Sequence, residues 1–179
     1  MSNSLALINC GQLVTLAGPS RPRVANELRQ LAIIPDGGML VRDGVIINVG
    51  RSSEIQHLID QSVEVVDAGG RIALPGFVDA HTHPVFAGTR TNEFEERSKG
   101  ITYQEIAARG GGIQASVKAT RAASHEDLVN AGARYAEWFL RCGTTTIEAK
   151  SGYGLTLEDE VKILRAIKSL NENTPLDYV

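Results

Sequence analysis

Through the first 74 residues apolar positions come in short β-rich runs punctuated by turn residues, and beyond them the apolar spacing turns helical. Residues 5–16 read as one or two strands broken near Gly11. Residues 18–35 read as a loop-like insertion bracketed by Pro19, Pro22 and Pro35, with a short helix over residues 24–33 as the alternative. Residues 39–50 carry Asp43-Gly44 between two β-rich runs, the pair that supplies the positive φ angles of a two-residue hairpin. A polar stretch, 53–61, with helical character precedes strands at 63–68 and 71–74, set around Gly69-Gly70. Residues 1–74 therefore predict part of a small antiparallel β domain, with edges and one apolar face that further strands should cover.

From Pro75 the chain predicts α/β order. Gly76-Phe77-Val78-Asp79-Ala80 reads as a fully buried strand of a parallel sheet. Thr102 and Glu105 have capping-box spacing at the start of a short helix that stops at Gly110-Gly111-Gly112. A second helical run, 113–123, has few large apolar residues. Ser124 then caps a stronger helix whose Leu128, Ala131, Tyr135, Trp138 and Phe139 follow helical spacing, which reads Trp138 as core and His125 as a solvated first-turn residue. A β-branched strand at 144–150 follows Gly143. Thr156 caps a last helix with the stripe Leu157, Val161, Leu164, Ile167 and Leu170, and a further strand opens at 176–179. The order β, α, β, α, β is that of a parallel barrel, with right-handed crossovers. Residues 75–179 are expected to hold its first β/α units. A whole (β/α)8 barrel takes roughly 250 residues, and 104 follow Pro75 in this chain of 179.

Composition narrows the function classes. The net charge of -3 gives no basic surface for nucleic acid or an anionic membrane. No apolar run is long enough to span a bilayer, and Met1-Ser2-Asn3-Ser4-Leu5 lacks the basic start of a leader, so a cytoplasmic protein is expected. Cys10 and Cys142 lack CxxC spacing and read as reduced thiols.

Candidate chemistry centres on His81-Thr82-His83. Residues i and i+2 of a strand share a face, so the two imidazoles converge. A lone His-x-His pair serves as readily for solvated or hydrogen-bonded core histidines. At the carboxyl end of a buried parallel strand, where α/β barrels place their chemistry, a transition-metal site is favoured.

The small β domain followed by Pro75-Gly76-Phe77-Val78-Asp79-Ala80-His81-Thr82-His83 resembles the metal-dependent amidohydrolase superfamily. Three further stretches resemble its imidazolonepropionase family: Phe86-Ala87-Gly88-Thr89-Arg90, then Thr102-Tyr103 with Gly110-Gly111-Gly112-Ile113, then Glu148-Ala149-Lys150-Ser151-Gly152-Tyr153-Gly154-Leu155. The resemblance implies an amino-terminal portion of such an enzyme: a TIM-like (β/α)8 barrel, incomplete here, beside a β-sandwich built from both chain ends. It also implies hydrolysis of the ring amide of 4-imidazolone-5-propanoate to N-formimidoyl-L-glutamate, by attack of hydroxide on one divalent or trivalent metal ion, zinc or iron. A bound metal brings the pKa of its water to ~7. His81 and His83 would be metal ligands, Arg90 and Tyr153 would contact substrate, and Tyr103 is a weaker candidate for the same pocket. A homodimer is left open.

The residue types suit that chemistry. Arg90 can hold the substrate carboxylate through two parallel hydrogen bonds, although without the resemblance it reads as a surface arginine. Tyr153, between glycines, reads equally as a turn tyrosine packed on its neighbours. Glu148 and Lys150 share a strand face and are expected to form an ion pair beside the site. The role of Asp79 stays undecided, and Gly110-Gly111-Gly112 reads as a flexible loop rather than a phosphate cradle. Two histidines fall short of the about three protein ligands of a catalytic site. The resemblance implies that later barrel strands, beyond Val179, supply a further His ligand, an Asp that binds metal and handles protons, and the remaining catalytic groups. Alternatives are another cyclic amidohydrolase, a nucleobase deaminase of the superfamily, or a non-catalytic fragment.

Overall fold

β1 (Ser4–Val14) is the strand around which the first part of the chain is built. The structure, a computed structural model, describes residues 4–179. Met1, Ser2 and Asn3, part of the amino-terminal stretch read above for the basic start of a leader, lie outside them. The chain divides into two units, Met1–Pro75 and Gly76–Val179.

In the first unit β1 pairs antiparallel with β2 (Ile33–Arg42), which pairs antiparallel with β3 (Val45–Arg51). The β2–β3 turn is Asp43-Gly44, with φ 50° and 79°, so the hairpin forms where the sequence places it. The sheet as a whole is mixed, which corrects the antiparallel expectation: β4 (Val63–Asp67) and β5 (Ile72–Ala73) both run parallel to β1. The cause is the segment between β3 and β4, where α1 (Ser52–Gln56) carries the chain across and brings β4 in along β1. Nor does β1 break at Gly11. It shifts register between Leu7 and Cys10, with Asn9 at φ 56°, and continues. Gly11 is needed for a close approach, since a Cβ there would lie 2.3 Å from the Gly70 carbonyl oxygen. The helix alternative for 24–33 shrinks to a 3-10 turn, Ala25–Arg29. Ala6, Ile8, Leu40, Ile55 and Val63 form the core, while Val45, Ile46, Val49 and Val65 leave an exposed apolar surface.

The second unit has a three-stranded parallel sheet, β6 (Phe77–Thr82), β7 (Thr144–Ala149) and β8 (Asp177–Tyr178), in that order. Between β6 and β7 lie α2 (Thr91–Ser98), α3 (Tyr103–Ala108), α4 (Ile113–Ala122) and α5 (His125–Arg141). α6 (Leu157–Asn173) joins β7 to β8. The capping box at Thr102/Glu105 and the Ser124 cap form as expected, the latter as a full capping box with Asp127, and His125 is exposed. α2 goes unsignalled in the sequence because its one large apolar residue, Phe94, is 75% exposed and draws no stripe.

Helix packing decides which faces are buried. α5 meets α6 through Leu128, Gly132 and Ala136, and a Cβ on Gly132 would fall 2.4 Å from Leu170 Cδ1. The closest approach is therefore made at small residues, and Trp138 is displaced to the flank, 59% exposed rather than in the core. On α6 the buried set is Ile163, Ala166, Ile167 and Leu170. Leu157 and Leu164, expected in the stripe, are exposed. β6 is also exposed, Val78 to 70%, in place of the buried strand expected; it is the edge of a sheet of three strands, paired only on its β7 side. Leu128 is fully buried among Val85, Ile147, Ile163 and Leu170. Leu128→Ala is expected to lower unfolding free energy by about 2–5 kcal/mol, read from the shift in the urea midpoint at unchanged slope. Among the described residues no helix is long and apolar enough to cross a membrane.

Candidate functional site

His81 lies in β6 and His83 just past its end, so both imidazoles leave the carboxyl edge of the sheet together. Their ring centroids are 5.6 Å apart at an interplanar angle of 73°. The Asp79 carboxylate accepts a hydrogen bond from the His81 backbone N–H at 3.2 Å, which ties the strand end on which the histidines sit. Thr82, between them, points the other way: its hydroxyl donates to the Glu148 carbonyl at 2.8 Å, and its own carbonyl accepts from Lys150 N–H at 2.9 Å. These bonds lock β6 to β7 at the level of the pair.

The loop after β7 packs on His83. Gly152 has φ 147°, and a Cβ on it would stand 2.9 Å from His83 Cε1 and 3.2 Å from Nδ1. Only glycine fits both the backbone and the imidazole. Next to it the Tyr153 ring meets His83 edge-on, with centroids 5.5 Å apart, and Phe86 at the same separation. Phe86 stacks on Tyr135 at 5.2 Å, and Tyr135 meets Trp138 at 5.4 Å. An aromatic wall thus runs outward from His83.

Cavities open along this wall. One of about 390 Å³ is lined by Arg90, Tyr153, Phe86, Ser116, Tyr135 and Trp138. Another, about 480 Å³, includes Asp79, His83, Pro84, Phe86, Tyr135 and Trp138. Arg90, at the start of α2, lies 3.8 Å from the Glu93 carboxylate, and the other oxygen of Glu93 accepts the Gly112 N–H at 2.8 Å. Gly112 is thereby held against α2, and the Tyr103 hydroxyl lies beside it, 2.8 Å from where a Gly112 Cβ would be. Arg90 and Tyr153 therefore share a cavity, whose lining does not include Tyr103. Glu148 and Lys150 pair at 3.0 Å.

As a metal site the residues present are a partial fit. Among the described residues His83 Nδ1 and Glu148 Oε2 are buried with no hydrogen-bond partner, which leaves coordinating capacity unspent. No group of three or more His, Cys, Asp or Glu is assembled among them. His57 lies in the first unit, at the end of α1, and His125 is at the start of α5.

Glu160 and Arg121, absent from the candidates drawn from sequence, hold the loop that carries Tyr153. Glu160 Oε1 accepts the Gly154 N–H at 2.9 Å and the Leu155 N–H at 2.7 Å. Arg121 Nε donates to the Gly154 carbonyl at 2.6 Å. Burial raises the pKa of Glu160, but the Leu155 N–H, the Ser151 hydroxyl and the N–H groups of Gly154 and Gly152 outweigh it, holding the carboxyl below its ordinary value. The available signal was the run Glu158-Asp159-Glu160, separated by three residues from the end of Ser151-Gly152-Tyr153-Gly154. It reads first as helix-dipole complementarity.

No protein-family model matches the chain. Over 179 residues it is 59% identical to the imidazolonepropionase of Solibacter usitatus strain Ellin6076, covering 100% of this chain and 43% of that protein. To the imidazolonepropionase of Symbiobacterium thermophilum it is 48% identical over 177 residues, covering 98% and 41%. The chain thus spans about two-fifths of the length of these curated relatives. Among solved structures it superposes on an uncharacterized metal-dependent hydrolase of Pyrococcus horikoshii with TM-score 0.60 at 16% identity, over 98% of this chain and 48% of that one. That likeness shows a shared α/β fold.

Proposed function

We propose, from the premise that this is an imidazolonepropionase-family sequence matched along its whole length, that it forms part of a hydrolase opening the ring amide of 4-imidazolone-5-propanoate to N-formimidoyl-L-glutamate. In this reading residues 1–74 contribute to a β-sandwich and residues 75–179 begin a (β/α)8 barrel. The open edge of β6 and the exposed apolar side chains Phe77 and Val78 favour it, because each needs a neighbouring strand.

The observation that carries the functional reading is the shared cavity of Arg90 and Tyr153, with the Tyr153 ring in contact with His83. His81 and His83 would hold a metal ion, zinc or iron, with further ligands supplied from outside the described residues. Such an ion supplies a water acidic enough to deprotonate near neutral pH. Arg90 binds the propanoate carboxylate and so orients the ring. The aromatic wall of Phe86, Tyr135 and Tyr153 flanks the planar ring and excludes bulk water from its face. Tyr153, whose ring meets His83, brings a hydroxyl to that wall as a hydrogen-bonding group for the substrate. Glu148 pairs with Lys150 at the strand end, where its other oxygen, Oε2, can accept a hydrogen bond from a ligand N–H.

Ring opening by hydrolysis adds one water across a C–N bond and releases nothing. Incubating the complete enzyme with 4-imidazolone-5-propanoate is expected to yield one product heavier by one water, with no ammonia. Ammonia release from an amino-substituted base, without ring opening of the imidazolone, would instead support the deaminase alternative.

A further inference from the structure

Tyr153 is held in the aromatic wall from behind, by groups that do not line the cavity. The loop 151–155 has no regular secondary structure and contains two glycines, so left alone it would sample many conformations. Two charged side chains from different helices restrain it at one point. Glu160 of α6 accepts both N–H groups that follow Tyr153, those of Gly154 and Leu155. Arg121 of α4 donates to the Gly154 carbonyl, and the same guanidinium stands 3.6 Å from Asp159. Lys162 closes the arrangement, bonding the Arg121 and Ala123 carbonyls at 2.9 and 3.1 Å and pairing with Asp159 at 3.2 Å. Gly154 is buried against this anchor: a Cβ there would come 2.6 Å from the Glu160 N. Every backbone hydrogen-bonding group of Gly154 is thus committed to a charged partner, one residue after the phenol that faces His83.

We propose that Glu160 is a positioning residue for the site: through the Gly154 and Leu155 N–H groups, opposed by Arg121 on the Gly154 carbonyl, it fixes the loop so that Tyr153 stays in the substrate cavity and in contact with His83. The inference rests on the functional reading above for what Tyr153 does, and on geometry alone for what Glu160 does. Both backbone bonds end on one carboxylate oxygen. A glutamine carbonyl can accept the same two bonds, whereas alanine leaves both donors without a partner.

The test uses the complete metal-loaded enzyme with three variants, Glu160→Ala, Glu160→Gln and Tyr153→Phe, read by steady-state kinetics and by amide hydrogen exchange across 151–155. Glu160→Ala is expected to raise KM about tenfold with kcat changed less than about threefold, since a displaced binding contact weakens ground and transition state alike. Exchange at Gly154 and Leu155 should speed up by about tenfold or more. Glu160→Gln should return both readouts to within about threefold of the parent. Unchanged exchange in Glu160→Ala overturns the anchor, and faster exchange with unchanged KM overturns its positioning role. If Tyr153→Phe raises KM while Glu160→Ala does not, the inference fails and the functional reading stands. If Tyr153→Phe leaves KM unchanged, the substrate role of Tyr153 fails, and the positioning role of Glu160 with it.

Discussion

Replacing His83 by Ala in the complete enzyme is expected to abolish stoichiometric metal binding and lower kcat/KM by about 10³-fold or more. Groups that merely orient a metal ligand are worth 10–100-fold in affinity or activity, and a ligand itself should exceed that. The geometry makes His83 the more sensitive of the pair. It is half-buried, its Nδ1 lacks a partner, and it is packed by Gly152 and Tyr153, whereas His81 is exposed on the strand. Metal analysis after gel filtration, beside turnover, checks the result. A His83→Ala enzyme that keeps one tightly held metal per chain would show that the ligands lie elsewhere.

Arg90→Ala is expected to reduce kcat/KM by about 10²-fold or more, because two charge-assisted hydrogen bonds to a carboxylate are lost together. Arg90→Lys keeps the charge without the planar fork and should recover only part of this, leaving a deficit of about tenfold. The discriminating comparison is an imidazolone lacking the propanoate tail. On that substrate the parent and Arg90→Ala should react at similar rates, since the guanidinium has nothing to hold. Glu93 sets the position of Arg90 in the absence of substrate, at 3.8 Å. Its second oxygen stays on the Gly112 N–H, so that bond need not break when the substrate carboxylate arrives. An equal loss on both substrates would mean that Arg90 acts through local structure rather than by gripping the tail.

The exposed wall explains why sequence spacing misjudged the large side chains. Trp138 falls on a helical stripe with Tyr135 and Leu128, and size alone assigns it to the core. The face of α5 that meets α6 is instead drawn by Gly132 and Ala136, where the backbones approach most closely. Tyr135 and Trp138 are left on the rim of the cavities, where they meet Phe86 and each other. The same offset governs α6, whose buried face begins at Ile163 and leaves Leu157 84% exposed. β6 has the composition of a buried strand and is exposed in this chain because composition records the environment a strand suits, not the neighbours that are present.

What the sequence determines by itself is whatever acts within about a turn of chain: the positive-φ pair at Asp43-Gly44, the caps at Thr102, Ser124 and Thr156, and the His81/His83 spacing that projects two imidazoles from one strand end. These depend on the conformations and hydrogen bonds of neighbouring residues, which travel with the sequence into any fold. Tertiary structure decides what depends on distant partners. The parallel entry of β4 beside β1, the faces of α5 and α6 that are buried, and the cavity joining Arg90 to Tyr153 are settled by packing between segments far apart in the chain. So is the grip of Glu160 and Arg121 on Gly154, which pairs a loop with two helices through the charge and the lone pairs of a few side chains. No local pattern encodes such a contact, because its energy exists only once the elements have met.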